Sequence, residues 1–322
     1  MPSEFDIIRQ YFMLENSRDD VSVGIGDDAA VLSVPAGYQL VQSMDTLVAG
    51  VHFPLETSAG DIAYKSLAVN LSDMAAMGAT PAWFTLAITL PDDDSEWLQS
   101  FSKSLAALAQ KYNLQLVGGD TTHGPLCISI CINGFIPTGT ALLRKNANVK
   151  DKVYVSGTIG DAALALVAWQ GQYLLRNDTT YYLNKKLNRP EPQVELGLLL
   201  RDYASACIDI SDGLAADLGH ILQESKLGAT IYFEKIPLSN EFKLNVIDDN
   251  LAIPLVLSGG DDYQLCFTVR AEKQSVFEKI VNEKNIKVEC IGEIESVKGL
   301  RCLLDNVEID IHEAGYQHFS SD

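Results

Sequence analysis

The stretch Asn70-Leu71-Ser72-Asp73-Met74-Ala75-Ala76-Met77-Gly78 closes a helical pattern that begins near Asp61. Leu67, Leu71 and Met74 recur at helical spacing as an apolar stripe, and Ser66, Val69, Asn70 and Asp73 fall on the stripe beside it. Gly78 and then Pro81 stop the helix. Asp73 therefore sits in a late turn, where the helix dipole disfavours an anion by about 0.3–1 kcal/mol and a bound cation would reverse that cost. Upstream, Leu40 to Met44 reads as a strand running into Asp45. Side chains alternate along a strand, so Ser43 and Asp45 share one face and Met44 takes the other. Two oxygen ligands on that strand and a carboxylate late in the next helix already suggest an α/β scaffold that carries cations.

The same mixed pattern continues. Trp83 to Leu90 and Leu126 to Ile136 read as strands, with a helix from about Ser95 to Tyr112 and a short strand Leu114 to Val117 between them. The chain turns polar near Asn146 to Asp151, which places a domain boundary at residues 148/149. A second α/β domain, 149–322, follows. It contains a strand Lys152 to Ser156, a helix from about Ile159 to Gln170 and a polar, tyrosine-containing stretch. Beyond these come a strand Ala206 to Ile210, a helix beginning near Asp212, a strand Tyr263 to Val269, a helix Lys273 to Glu283 and short strands. The fold class is α/β (α+β), with mixed sheets and flanking helices in two domains, as 322 residues would favour.

Composition excludes several function classes. With 47% hydrophobic and 21% charged residues the chain has the material for packed cores rather than disorder. A formal net charge of -19 repels nucleic acid and anionic membranes at long range, so neither is an expected partner. No apolar run of about 18 residues is present, and the first residues lack the basic patch and apolar core of a signal peptide. The six cysteines show no Cys-x-x-Cys spacing and read as reduced residues of a cytoplasmic protein.

The acidity gathers in Gly/Asp clusters: Gly26-Asp27-Asp28, Gly118-Gly119-Asp120, Asp209-Ile210-Ser211-Asp212-Gly213 and Gly259-Gly260-Asp261-Asp262. Each lies beside an apolar run, and turns there would set carboxylates at strand ends. Gathered carboxylates repel one another, by about 1 kcal/mol per pair at 4 Å in water and by more in a drier cleft. Divalent cations relieve that repulsion. Mg²⁺ suits the role, because one or two carboxylates, waters and phosphate oxygens complete its octahedron. Asp209 and Ser211 share a strand face just before a helix whose N-terminal amides could hold a phosphate, although Asp212 could equally be a plain N-cap. Arg144, after the Pro137-Thr138-Gly139 turn, is the best-placed cation for a phosphate. The chain has no P-loop, no kinase catalytic-loop signature, no Gly-x-Ser-x-Gly elbow and no His-Glu-x-x-His pair. A nucleotide would have to be held through metals.

These clusters occur in order with Ser43-Met44-Asp45-Thr46, Val51-His52-Phe53, the helix end Asn70–Ala79, Gly118-Gly119-Asp120-Thr121-Thr122, Asp209–Leu214 and Ser258–Tyr263. Together they resemble the thiamine-monophosphate kinases over nearly the whole chain. The resemblance implies the two-domain fold of the aminoimidazole ribonucleotide synthetase superfamily, with the N-terminal domains paired in a homodimer. It also implies transfer of the ATP γ-phosphoryl group to thiamine monophosphate, assisted by several Mg²⁺ ions. By that resemblance Asp28, Ser43, Asp45, Asp73, Asp120, Asp209 and Asp212 match metal positions. Tyr112, Gly119, Asp120, Arg144 and Ser211 match ATP positions, and His52, Asp261 and Tyr316 match positions for the thiamine moiety. Two residues depart from the family pattern, Met44 where Thr is frequent and Asp261 where Glu is frequent. Sister enzymes that make other activated phosphates, or an acidic Ca²⁺-binding protein, are the competing readings of the same carboxylates.

Overall fold

A computed structural model describes residues 4–14 and 17–311. Tyr316 lies outside the described residues, as do His312 and His318. The chain divides into two compact units, one from residues up to Met74 together with Ala79–Ala141, the other from Ala75–Gly78 together with the chain from Leu142 onward.

The first unit opens with a short helix α1 (Glu4–Ile7) that runs into a π-helical turn, Ile8–Phe12, and a small antiparallel pair, β1 (Val21–Val23) and β2 (Val31–Leu32). Its sheet is built from β3 (Tyr38–Val48), β4 (Thr80–Leu90), β5 (Gln115–His123) and β6 (Cys127–Pro137), with α2 (Ala59–Ala76) and α3 (Ser95–Lys111) between strands. The spatial order is β3-β6-β4-β5. β6 is antiparallel to both neighbours, and β4 and β5 run parallel. Parallel neighbours need a crossover, and α3 supplies it. That helix starts on Asp94, whose carboxylate accepts the amides of Glu96 at 2.9 Å and Trp97 at 3.2 Å.

Alternation along β3 is as the sequence implies. Leu47 is buried and Ser43 and Asp45 are half-buried, whereas Leu40 and Met44 are exposed. Helix α2 is buried on more than one stripe: Ser66, Val69 and Asn70 are as inaccessible as Leu67 and Leu71. The buried polar groups turn back on the helix, Ser66 Oγ donating to the Ile62 carbonyl at 2.8 Å and Asn70 Nδ2 to the Ser66 carbonyl at 2.9 Å.

One expected turn is instead a strand. Gly118, Gly119 and Asp120 lie inside β5, paired with Thr85, Leu86 and Ala87. The reason is a close approach of backbones, since a Cβ on Gly119 would lie 1.9 Å from the Leu86 carbonyl oxygen. Glycine here lets β5 pair tightly where any other side chain would push the strands apart.

The second unit contains β7 (Lys152–Ser156), α4 (Asp161–Trp169), α5 (Thr180–Asn188), α6 (Val194–Leu200), β8 (Ala204–Asp209), α7 (Leu214–Ser225), β9 (Gly228–Tyr232), α8 (Asn240–Asn245), α9 (Asp249–Leu257), β10 (Leu265–Val269), α10 (Gln274–Glu283), β11 (Val288–Glu295), β12 (Gly299–Leu304) and β13 (Val307–Ile309). The seven strands order as β13-β12-β9-β11-β7-β10-β8, antiparallel except for β12 on β9. Val153, Val155, Ile208, Ile231 and Cys266 from its strands join Leu164, Leu218 and Ile221 from α4 and α7 in one core. The expected strand Tyr263 to Val269 begins later, at Leu265, because Asp261 and Tyr263 both have positive φ, 69° and 48°. All six cysteines are free thiols. No helix among the described residues is long and apolar enough to cross a membrane.

Candidate active site

In the first unit β3 and the end of α2 bring three expected ligands together. Ser43 Oγ donates to Asp73 Oδ2 at 2.5 Å, and Asp45 and Asp73 share a carboxyl–carboxyl hydrogen bond. Burial, followed by the charge and hydrogen bond of Asp73, raises the Asp45 carboxyl from 3.8 to about 7. Two acids so arranged hold one proton between them or one cation. Met44 points to the opposite, exposed face and adds nothing to this pair.

The same unit gathers Asp28, Gly119 and Asp120 along one cavity of about 590 Å³. Asp28 is exposed on a turn that Gly26 enters at φ 125°, and its amide donates to the Asp27 carboxylate at 2.9 Å. Ile8, Phe12 and Leu116 contribute apolar lining to the same cavity. Tyr112 lies outside that lining, at the C-cap of α3, with the Lys111 ammonium 5.1 Å from its ring centroid. His52 sits in the turn after β3. Its Nδ1 accepts the Val48 amide at 3.0 Å, so a neutral ring carries its proton on Nε2. The His52 carbonyl accepts from Lys65, a buried lysine of α2, at 3.1 Å.

In the second unit the expected residues cluster on two adjoining turns. Asp209 ends β8, and Ser211 and Asp212 lead into α7, whose N-cap is Gly213 rather than Asp212. Gly213 has φ 123°, and a Cβ on it would lie 2.8 Å from the Ser258 backbone. This is a position that only glycine fills without moving the neighbouring turn. The Asp261 amide donates to the Ser211 carbonyl at 2.9 Å and the Tyr263 amide to that of Ile210 at 2.8 Å. Asp261 is thereby set beside Ser211. Positive φ at two non-glycine residues so close together is strain of the kind that collects at binding sites.

The amides before α7 are differently used from the sequence expectation. Those of Ser211, Asp212 and Gly213 all donate to Asp217 Oδ2, at 2.9, 3.1 and 3.2 Å. A carboxylate of the chain already fills the place expected for a phosphate. Burial raises the Asp217 carboxyl to about 7, opposed by these amides and reinforced by the Asp212 charge. Asp217 was not singled out by sequence, where it is one acid in the first turn of a helix. The spacing Ser211-x5-Asp217 was the available signal. Asp262 is comparable: it is buried, and both its oxygens accept the Gly160 amide, at 3.1 and 3.0 Å. Arg144 is exposed, and no ion pair ties it among the described residues.

Mg²⁺ fits the donor chemistry of the first unit. Asp45, Asp73 and Ser43 offer only hard oxygen atoms, and the raised Asp45 carboxyl marks a charge that a cation would stabilise. One turn before Asp73, the buried Asn70 Oδ1 has no hydrogen-bond partner among the described residues, an acceptor suited to a metal-bound water. Among the described residues no three or more His, Cys, Asp or Glu side chains gather closely enough to enclose a metal.

Residues 26–136 match the model of the AIR synthase related protein N-terminal domain, and residues 148–305 that of the C-terminal domain. The thiamine-monophosphate kinase of Salmonella typhimurium is 45% identical over 321 residues, 99% of this chain and 98% of its own. The chain belongs to the thiamine-monophosphate kinase family. The Bacillus subtilis thiamine-monophosphate kinase is 33% identical over 98% of this chain and 99% of its own. The crystal structure of thiamine-monophosphate kinase from Stenotrophomonas maltophilia K279a superposes with a TM-score of 0.85 at 43% identity, covering 92% of this chain and 94% of that one. The AaThiL structure complexed with AMPPCP and TMP gives 0.77 at 28% identity, covering 98% and 96%. HypE structures, at 20% identity and a TM-score of 0.79, share the fold alone. As a member of the thiamine-monophosphate kinase family the chain is an enzyme, and its two-domain fold is that of the family.

Proposed function

We propose that this protein transfers the γ-phosphoryl group of ATP to the phosphate of thiamine monophosphate, giving thiamine diphosphate and ADP, with several Mg²⁺ ions bound. The observation that carries this reading is the hydrogen-bonded Asp45–Asp73 carboxyl pair with Ser43, which calls for a hard cation. Membership of the family supplies the substrates, and the AaThiL complex with AMPPCP and TMP supports them.

Asp28, Ser43, Asp45, Asp73 and Asp120 are assigned to metal in the first unit, and Asp209 and Asp212 in the second. Gly119, Asp120, Arg144, Ser211 and Tyr112 are assigned to ATP. His52 and Asp261 are assigned to the thiamine moiety, as is Tyr316. The division of labour follows as a first domain 1–148 for ATP, Mg²⁺ and dimerisation, and a second from 149 that completes the site.

The acceptor is already an anionic phosphate oxygen, so no general base is required and the chemistry reduces to positioning and charge neutralisation. Bound Mg²⁺ would neutralise charge on the transferring group. Arg144 offers a bidentate fork to a phosphate. His52, with Nδ1 accepting the Val48 amide, presents an Nε2–H as donor to the acceptor substrate. Transfer is direct and in line, because the acceptor phosphate oxygen is itself a nucleophile and needs no covalent enzyme intermediate.

A homodimer through the first unit is supported by the outer face of its sheet. Tyr38, Leu40 and Met44 are 44%, 48% and 62% exposed along β3, three large apolar side chains on a face that also carries Gln42 and Thr46. The deciding experiment is incubation with ATP, Mg²⁺ and thiamine monophosphate, with products identified by mass spectrometry. Thiamine diphosphate formed in proportion to ADP is expected. ATP hydrolysis alone, or no turnover with folded protein, overturns the reading.

A further inference from the structure

We propose that Asp217 is a positioning residue, whose carboxylate fixes the Asp209–Gly213 turn in the shape that presents Ser211 and Asp212 to the metal–nucleotide complex. The inference rests on the assignment of that turn to Mg²⁺ and ATP. Consecutive amides that point to one spot form an anion nest, and an unfilled nest is normally closed by a phosphate or by water. Here the chain closes it from within. Asp217 is 2% exposed, and its Oδ2 alone accepts the amides of Ser211, Asp212 and Gly213. Its own amide donates back to the Gly213 carbonyl at 2.9 Å, so the turn and the first turn of α7 are locked to one another in both directions.

The other side of the turn is held independently. The carbonyls of Ile210 and Ser211 accept the amides of Tyr263 and Asp261. Amides and carbonyls of the same few residues are thus satisfied from opposite sides. The side chains of Ser211 and Asp212 take no part in this backbone network. With the amides of Ser211, Asp212 and Gly213 spent on Asp217, these three are not open to a phosphate, and contact through Ser211 and Asp212 falls to their side-chain oxygens and to cations they hold. Loss of the carboxylate should loosen the turn, expose the amides and weaken cation binding, as removal of an outer partner of a metal ligand commonly does.

Two measurements on Asp217→Asn and Asp217→Glu test the idea, with Asp94→Ala as a control that removes a helix N-cap far along the sequence from the turn. Hydrogen–deuterium exchange should find the amides of Ser211 to Gly213 protected in the natural protein and exchanging at least about tenfold faster in Asp217→Asn, with partial recovery in Asp217→Glu. The Mg²⁺ concentration that gives half of the thermal shift with a nonhydrolysable ATP analogue should rise about tenfold. In turnover, the KM for ATP should rise and that for thiamine monophosphate should stay within about twofold. The proposal is overturned if the amides exchange freely in the natural protein, if Asp217→Asn leaves their exchange unchanged, or if Asp94→Ala shifts the Mg²⁺ requirement equally. Exchange and thermal shift are read without turnover. A natural protein inactive on thiamine monophosphate would therefore refute the proposed function and leave these two readings to judge Asp217. Should neither variant fold, protection of the natural amides decides.

Discussion

Replacement of Asp45 by Asn removes one of the two acids that share a hydrogen bond at the end of α2, and its effect should change sign with conditions. The Asp45 carboxyl stands at about 7 instead of 3.8, first through burial and then through Asp73. At about 1.4 kcal/mol per pH unit this displacement corresponds to an upper limit of about 4 kcal/mol. Relaxation and water entry at a half-buried site bring the expected value to roughly 1–2 kcal/mol. Because folding raises this pKa, the unfolded chain ionises first as pH climbs above about 4, and the metal-free native state loses stability until about pH 7. Asp45→Asn has no proton to release and escapes that loss. In EDTA the variant should therefore melt about 3–6 °C above the natural protein at about pH 8, with the difference closing toward pH 4. Mg²⁺ with a nonhydrolysable ATP analogue should reverse the order by stabilising the natural protein alone. Turnover of the variant should fall more than about a hundredfold. Differential scanning calorimetry across this pH range is the assay. A melting difference independent of pH, or equal stabilisation of both proteins by Mg²⁺, would refute the charge-sharing account of the pair.

Asp261→Ala should raise the KM for thiamine monophosphate by about tenfold and leave that for ATP nearly unchanged; equal weakening of both would return Asp261 to a turn-holding role. Gly119→Ala puts a Cβ 1.9 Å from the Leu86 carbonyl oxygen and should destabilise the first unit by at least about 2 kcal/mol, read as a lowered urea midpoint. Leu40→Glu with Met44→Glu, on the exposed face of β3, should convert a dimer to a monomer in sedimentation velocity without lowering the melting temperature; an unchanged sedimentation coefficient places the interface elsewhere.

The fold was legible where local pattern and tertiary environment agree. Alternation along β3 placed Ser43 and Asp45 together and Met44 apart, and the structure has them so. The apolar stripe of α2 was equally plain. The burial of Ser66 and Asn70 beside it was not, because a polar residue that bonds to its own helix backbone reads in sequence like one facing solvent. Gly118 and Gly119 suggested a turn because glycine usually marks one. Here glycine serves close strand pairing, and the collision it avoids belongs to Leu86, a residue some thirty positions earlier that no local window contains. The polar stretch with tyrosines concealed α5, whose buried face is reduced to Leu183 and Leu187.

The site was legible as a set of aspartates, and the sequence offered no means to sort them by what uses their charge. The structure separates two kinds. Asp45 and Asp73 face each other, so their charges are unfavourable until something cationic arrives. Asp217 and Asp262 are instead consumed by backbone amides, three for Asp217 and that of Gly160 for Asp262, and both are buried. An acid of the first kind is a candidate ligand because it lies against a like charge that a cation would relieve; an acid of the second kind spends a buried oxygen on holding a turn of the chain. Local motif does not separate the kinds: Asp45 and Asp73 lie outside the Gly/Asp clusters, whereas Asp262 directly follows Asp261 and Asp217 lies five residues after Asp212. Composition and spacing therefore locate where charge gathers, and only the direction of neighbouring amides tells which carboxylates bind and which ones build the turns that let the others bind.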